Sequence, residues 1–423
     1  MSVDISGIRL RKVPDLSIQY EMEEHRTWPH VFKFSGGRSS AMLLLALLKN
    51  RCLRPSRGDV VVFNNTSAEH PATYEFASMC KRITEQRYNI PFFWTEFQTY
   101  EDARRGKWTR IASYRLVKDH PFARNRPHGY RYRGEVFEEM LSWKQRLPNH
   151  LQRLCTQHLK LETTIHFLGD WFAFKRGISR LGHWYEESRV NRLARGDLEK
   201  IVNYHLNTPT TRPYQKFQDY TKASQVRVRN SGLKRKTFGG TAELKGENPV
   251  DFVTLVGLRG DEFNRVARVK ARNNSGLSDS DMDKLAHGEH VYTPLADHGI
   301  TKSDTMEFWG KQSWDLKIPH SVNLSNCVYC FMKGKRTLKR IVKEQSENPL
   351  RVKYRNTPVD IDWWIDIENR YARRVTSTKN ENSITRFGFF GANSPTTYAT
   401  LREDAGEEQS ILIDDSMPCD CTD

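Results

Sequence analysis

The strongest constraint on this chain is the alternation in its first hundred residues. Short apolar β-type runs are spaced by helix-type runs. His30–Phe34 (HVFKF) reads as a buried strand, and Ser40–Leu48 (SAMLLLALL) as a helix packed on a sheet. Asp59–Phe63 (DVVVF) is a second strand with strong β-branched character, and Pro91–Phe97 (PFFWTEF) a third. Between them a helix opens at Pro71, where a first-turn proline is tolerated, and runs to about Gln86. The order β-α-β-α-β predicts a parallel sheet with helices on its faces.

Further along, His158–Phe167 reads as helix and Asp251–Val256 (DFVTLV) as another core strand. Thr301–Gly310 reads as a helix with a capping residue among Thr301, Ser303 and Asp304. Beyond Leu350 the pattern weakens and places no elements. The whole is expected to be a doubly wound, mostly parallel α/β fold with a basic insertion and a cysteine-bearing C-terminal region. The expected divisions are a nucleotide-binding core over 1–185, the insertion over 186–248, completion of the core with a C-x-x-C over 249–345, and a C-terminal region over 346–423.

Composition narrows the class. The 423 residues carry 67 Lys+Arg against 51 Asp+Glu, net +16, with 21 Phe, 16 Tyr and 10 Trp. So many aromatics argue against wholesale disorder. The longest apolar run, near Ala41–Leu48, is far short of the ~20 residues of a spanning helix, so no membrane is expected. The N-terminus has no secretory pattern, and seven cysteines is an odd count, so a reducing, cytoplasmic setting is expected.

The charge is uneven. Tyr100–Gly134 carries ten basic and three acidic residues, interleaved with Trp108, Tyr114, Tyr130 and Tyr132. Ser188–Gly246 carries thirteen and four, whereas Arg402–Asp423 has one basic residue and eight acidic ones. Basic stretches interleaved with aromatics suit a nucleic acid, because cations meet phosphates and rings stack on bases. A solvated face is the plainer alternative for each.

The chemistry-bearing motif is Ser35-Gly36-Gly37-Arg38-Ser39-Ser40, set between the first strand and its helix. Glycines let the backbone approach a ligand, successive N–H groups form an anion-binding concavity, and the helix N-terminus adds partial positive charge. It is neither a Walker loop nor a G-x-G-x-x-G turn. Ligands of open parallel sheets bind at the carboxyl ends of strands, where this turn lies.

With this motif the sequence resembles the PP-loop of the ATP pyrophosphatase superfamily, in particular its phosphoadenosine-phosphosulfate-reductase-like branch, with Ser39 in place of the commoner Asp. Three further segments are similar to the family's in order. Asn64-Asn65-Thr66-Ser67-Ala68-Glu69-His70-Pro71 resembles Thr-Gly-x-Glu-x-Pro, with Ser67 for Gly. Arg153-Leu154-Cys155-Thr156-Gln157-His158-Leu159-Lys160 resembles Arg-x-Cys-Thr-x-x-Leu-Lys. Gly257-Leu258-Arg259-Gly260-Asp261-Glu262-Phe263-Asn264-Arg265 resembles Gly-x-Arg-x-x-Glu-Ser-x-x-Arg, with Phe-Asn for Ser. Together they cover about residues 30–335.

The resemblance implies cleavage of ATP, with Mg²⁺, between its α and β phosphates, or binding of a sulfonucleotide. It implies that Ser35–Ser40 hold phosphates and that Asn65, Thr66 and Glu69 line the nucleotide site. Arg259 and Arg265 would bind an anion, and Arg153 and Lys160 would add charge near the reacting centre.

Cys327-Val328-Tyr329-Cys330 reads in three ways: half of a zinc site, a redox dithiol, or part of an iron–sulfur site. Cys419 and Cys421 are the candidates for further ligands. The resemblance to phosphorothioation and tRNA-thiolation enzymes favours a [4Fe–4S] cluster that also uses Cys155. The run Lys333–Arg340 adds five cations beside it. Cys52 and Cys80 read as buried apolar side chains, and His70, His158 and His166 as structural.

The expected function is therefore ATP-dependent sulfur transfer to a nucleic-acid acceptor, DNA favoured over RNA, as in DNA phosphorothioation. It would be served by a sulfur donor such as a cysteine desulfurase and assemble with other modification-system proteins. The alternatives are a sulfonucleotide reductase and a non-catalytic nucleic-acid-binding subunit that keeps a nucleotide fold.

Overall fold

The structure, a computed structural model, describes residues 5, 7–102, 109–126, 128–176, 251–274, 288–319, 324–349, 351–376 and 384–406. The expected basic insertion and Cys419 and Cys421 lie outside these residues.

The protein is α/β. Seven strands form one sheet in the order β5-β4-β3-β2-β1-β6-β7. β1 (His30–Phe34) lies in its middle, parallel to β2 (Val60–Asn65) on one side and to β6 (Phe252–Leu255) on the other. β3 (Phe92–Asp102) continues parallel beyond β2, and β7 (Glu289–Tyr292) beyond β6. β4 (Thr109–Pro121) runs antiparallel to β3, and the two-residue β5 (Gly129–Tyr130) closes that edge. The strand order reverses between β1 and β6, the topological switch point at which open α/β sheets bind ligands.

Among the described residues ten α-helices follow in chain order. α1 (Arg38–Lys49), α2 (Pro71–Tyr88) and α3 (Glu135–Lys144) precede a π-helical stretch, Cys155–Glu162, that runs directly into α4 (Thr163–Arg176). Then come α5 (Phe263–Asn274), α6 (Pro294–Asp297), α7 (Lys302–Gly310) and α8 (Lys335–Glu347). α9 (Ile361–Tyr371), a three-stranded sheet of β8 (Arg373–Thr376), β9 (Ile384–Gly388) and β10 (Gly391–Ala392), and α10 (Tyr398–Glu403) complete it.

Local chemistry fixes several boundaries. α2 starts at Pro71, with the His70 side chain accepting from the Ala72 N–H, and stops at Asn89, whose φ of 54° is left-handed. α7 carries the capping box expected near Thr301: Thr301 and Asp304 each accept from the other's backbone N–H. Residues beyond Leu350, silent in the sequence, pack into the main core through Trp363, Trp364, Ile367 and Tyr398.

Alternation along the strands sorts the two sheet faces. Phe32, Phe34, Val61, Phe63, Trp94 and Leu255 face α1 and α2 in the larger core. On the other face, Val31, Val60, Val62, Phe93 and Phe252 pack under Ile165, Leu168, Trp171 and Phe172 of α4. That second face is apolar only toward the N-terminal ends of its strands. Toward their C-terminal ends it turns polar, and there the candidate site opens.

Candidate functional site

A cleft of about 370 Å³ lies between α4, which packs across β2–β4, and α5, which packs against β7. Lys33 of β1, Asn64 of β2 and Thr254 of β6 line it from the sheet. Parallel strands buried on both faces are normally near-continuous apolar runs. Polar side chains at the middle of this one therefore mark a surface built to meet something other than a helix. Val256, Leu258, Val269 and Val291 give the cleft one apolar wall. Its lining carries six cations (Lys33, Arg153, Lys160, Arg265, Arg268 and Arg272) and one carboxylate, Glu69.

Five residues singled out in the sequence thus meet in this cleft: Ser35, Glu69, Arg153, Lys160 and Arg265. They come from the end of β1, the loop after β2, the π-helical stretch with the loop before it, and α5. Lys33, Arg268 and Arg272 were not singled out. Arg268 and Arg272 follow Arg265 at i+3 and i+7, a one-face helical spacing that was available to read. Lys33 gave a fainter signal, as a lone charge in an apolar strand.

The glycine turn is tight and braced by its own serines. Gly36 has φ +84°, and a Cβ there would stand 2.6 Å from Thr73 Cγ2 and 3.2 Å from Phe63 Cε2. The Gly37 N–H donates to Ser35 Oγ at 3.3 Å, and the Ser35 N–H to Ser40 Oγ at 3.2 Å. The first turn of α1 has no side-chain cap and no acidic residue, so its dipole favours an anion at the turn.

The two arginines near the turn divide their work. Arg38 points away from the cleft. Its Nε and Nη2 donate to the two oxygens of Asp315, each at 2.8 Å, and Nη2 also donates to the carbonyls of Leu316 and Ile318. Arg259 takes the position beside the turn, donating from Nη1 to Ser39 Oγ at 2.9 Å. Arg259 and Arg265 are both drawn to Glu262. Of the turn itself, only Ser35 lines the cleft.

The loop after β2 is a buried network. Asn65 Nδ2 donates to Glu96 Oε1 at 2.7 Å, and Asn65 Oδ1 accepts from the Ser67 N–H at 2.8 Å. Thr66 Oγ1 donates to Glu69 Oε1 at 2.6 Å, and the Tyr74 hydroxyl to Glu69 Oε2 at 3.0 Å. Asn65 and Thr66 therefore shape the loop, while Asn64 and Glu69 reach the cleft. Ser67 has φ 61°, the left-handed conformation for which the family pattern carries glycine. Its Oγ accepts from the Val136 N–H at 3.0 Å, capping α3, which a glycine could not do.

Glu289 anchors the inner end of the cleft. It accepts from Lys33 Nζ at 2.7 Å, Thr254 Oγ1 at 2.6 Å and Arg272 Nη2 at 2.6 Å. Burial alone would raise its pKa, but Lys33 and Arg272 hold it down to about 2. The fixed carboxylate orients two of the six cations.

Cys155, Cys327 and Cys330 are free of disulfides and half-buried. Cys155 precedes Thr156, which lines the cleft. Cys327 forms a β-bridge with Glu69, its Sγ 3.4 Å from Thr66 Oγ1. All three lie close enough to the buried Tyr398 phenol to raise its pKa, after the larger effect of burial. Yet among the described residues no group of three or more His, Cys, Asp or Glu side chains is arranged to hold a metal. Lys333, of the basic run, turns inward: Nζ donates to the carbonyls of Ser325 at 3.0 Å and Val328 at 2.9 Å.

The basic, aromatic stretch Tyr100–Gly134 contributes much of its chemistry to the interior. Tyr114 and Tyr130 are buried, and Arg115 and Arg131 pair with the buried Glu96. Among the described residues, no helix is long and apolar enough to cross a membrane. Comparison with protein-family models, with curated proteins and with solved structures finds no match.

Proposed function

We propose that this chain is an ATP-dependent sulfurtransferase of the PP-loop, phosphoadenosine-phosphosulfate-reductase-like type, acting on DNA. The observation that carries the reading is convergence. Four segments far apart in sequence, each similar to a family motif, supply Ser35, Glu69, Arg153, Lys160 and Arg265 to one cationic cleft at the sheet's switch point. At about 370 Å³ the cleft is the size of a small-ligand site.

In this mechanism the triphosphate of ATP, with its Mg²⁺, lies against the glycine turn and the start of α1. The apolar wall of Val256, Leu258, Val269 and Val291 takes the base. An acceptor oxygen attacks the α-phosphorus, forming a P–O bond as the bond to pyrophosphate breaks. Arg153, Lys160 and Arg265 offset the charge that builds on the phosphoryl oxygens and the leaving group. Phosphoryl transfer depends on such clamps more than on a protein nucleophile. A persulfide, its outer sulfur supplied by a partner of the cysteine-desulfurase class, then attacks the activated acceptor and expels AMP, and an external thiol cleaves the resulting disulfide to release the thiolated acceptor. Other modification-system proteins would assemble around this step. Were an iron–sulfur or zinc group bound, Cys155, Cys327 and Cys330, with Cys419 and Cys421 outside the described residues, would hold it, and no step here is routed through it.

Pyrophosphate release tests the reading. Purified protein with ATP, Mg²⁺ and DNA should release pyrophosphate. Lys160→Ala should slow that release about 100-fold, the usual effect of removing one transition-state donor, with unchanged thermal melting. Absence of pyrophosphate with every DNA and RNA offered would rule the mechanism out.

A further inference from the structure

We infer that α5 is the element that holds the acceptor beside the cleft, and that what it takes is single-stranded DNA. This rests on the proposed function for the existence of a DNA acceptor. The position and the strandedness come from α5 itself.

α5 (FNRVARVKARNN) carries four cations and no carboxylate. Its inner side is fixed. Val266 and Val269 pack against Val256, Leu258 and Val291. Asn273 clamps the exposed edge of β7, donating to the Val291 carbonyl at 2.8 Å and accepting from the Val291 N–H at 3.1 Å. The helix is therefore a rigid mount rather than a loose surface segment.

Its outer side is a shallow lane. Phe263, Ala267 and Ala271 follow one another at i, i+4 and i+8, all exposed, and the two alanines leave the backbone low between taller neighbours. Arg268 is exposed and also lines the cleft, so it joins the lane to the reaction chamber. Lys270 lies alongside, its side chain 58% exposed, with a long 3.7 Å pair to Asp297. At the first turn, next to Arg265, the ring of Phe263 is 76% exposed.

The exposed cations Arg268, Lys270 and Arg272 can meet a phosphodiester backbone, Arg272 while it is held by Glu289 and Arg265 staying with Glu262. A bare ring at one end of that lane matches the face of an unpaired base, since bases in a duplex already stack on one another.

The test is fluorescence anisotropy of the full-length protein with labelled single-stranded DNA, the same sequence as duplex DNA, and the same sequence as RNA, across a salt series. ATP binding is followed in parallel by calorimetry. Three variants at exposed positions are used: Phe263→Ala, Ala267→Glu and Lys270→Gln. Wild type should bind single-stranded DNA tightest. Phe263→Ala should weaken it about tenfold, and Ala267→Glu should also weaken it, by placing a carboxylate in the lane. Lys270→Gln should reduce the slope of log K against log salt by about 0.7. ATP binding and melting temperature should stay as in wild type. Unchanged affinity in both Phe263→Ala and Ala267→Glu would overturn the inference and leave the proposed function standing. So would tighter binding of duplex DNA, or loss of ATP binding in these variants, whereas tighter binding of RNA would overturn the inference together with the DNA acceptor. If wild type binds ATP but no polynucleotide, the DNA acceptor of the proposed function falls with it.

Discussion

The two faces of the central strands make different uses of the same residues. In β1, Phe32 and Phe34 lie on the α1/α2 side in a close-packed core, while Lys33 between them reaches the cleft. In β2, Phe63 packs in that core and its neighbour Asn64 lines the cleft. Strand period two lets one short segment hold the fold on one side and build a site on the other. Stability and ligand binding should therefore separate by odd and even positions along β1 and β2.

The largest expected effect breaks the packed side. Phe32→Ala removes a fully buried ring and should cost about 3–5 kcal/mol of unfolding free energy, measured by denaturant titration. If it were tolerated, the division between the faces would be wrong. Gly36→Ala acts where the faces meet. A methyl at φ +84°, pressed on Thr73, should destabilise by about 1–3 kcal/mol. It should also weaken ATP binding at least tenfold in a calorimetric titration.

A pH series probes the same packed side at its rim. Burial, with Arg57 nearby, lowers the pKa of His30 to about 3, below its ordinary 6.5. The unfolded chain then takes up the proton first. The contribution is complete above pH 6.5 and drains away as pH falls from 6.5 toward 3. Between pH 7 and pH 5 it should amount to about 2 kcal/mol, and His30→Gln should flatten that part of the curve. The smallest effect on stability is expected on the other side. Asn64→Ala, which loses bonds to Thr95 and Thr164, should cost about 1 kcal/mol. It should alter ATP affinity more than melting temperature.

What the sequence disclosed follows the range of the interactions involved. β1, α1, β2, α2 and β3 were readable because apolar periodicity and Gly or Pro punctuation act over a few residues, and so was the cap at Thr301. β4 went unread. Its alternation, with Tyr114 and Leu116 buried and Arg115 turned to Glu96, was hidden beneath a strongly basic composition. α9 and α10 went unread because their aromatic residues, Trp363, Trp364 and Tyr398, find partners only across the molecule. In the site, the motif segments were legible but side-chain direction was not. Arg38 reads as a residue that holds phosphate and Asn65 as one that lines the nucleotide site, and the structure turns Arg38 to Asp315 and Asn65 to Glu96. Such choices depend on sheet register and on contacts hundreds of residues apart.

The contact between Arg38 and Asp315 spans 277 positions along the chain. A ribosome adding about 5–20 residues per second needs roughly 15–55 s to travel from one to the other. Until β6 follows, the nascent N-terminal half exposes β1 with a single neighbour, β2. The glycine turn remains untethered until the partner aspartate emerges. Shortened versions of this protein that stop before Asp315 would thus keep the glycine turn and lack the brace that sets its shape.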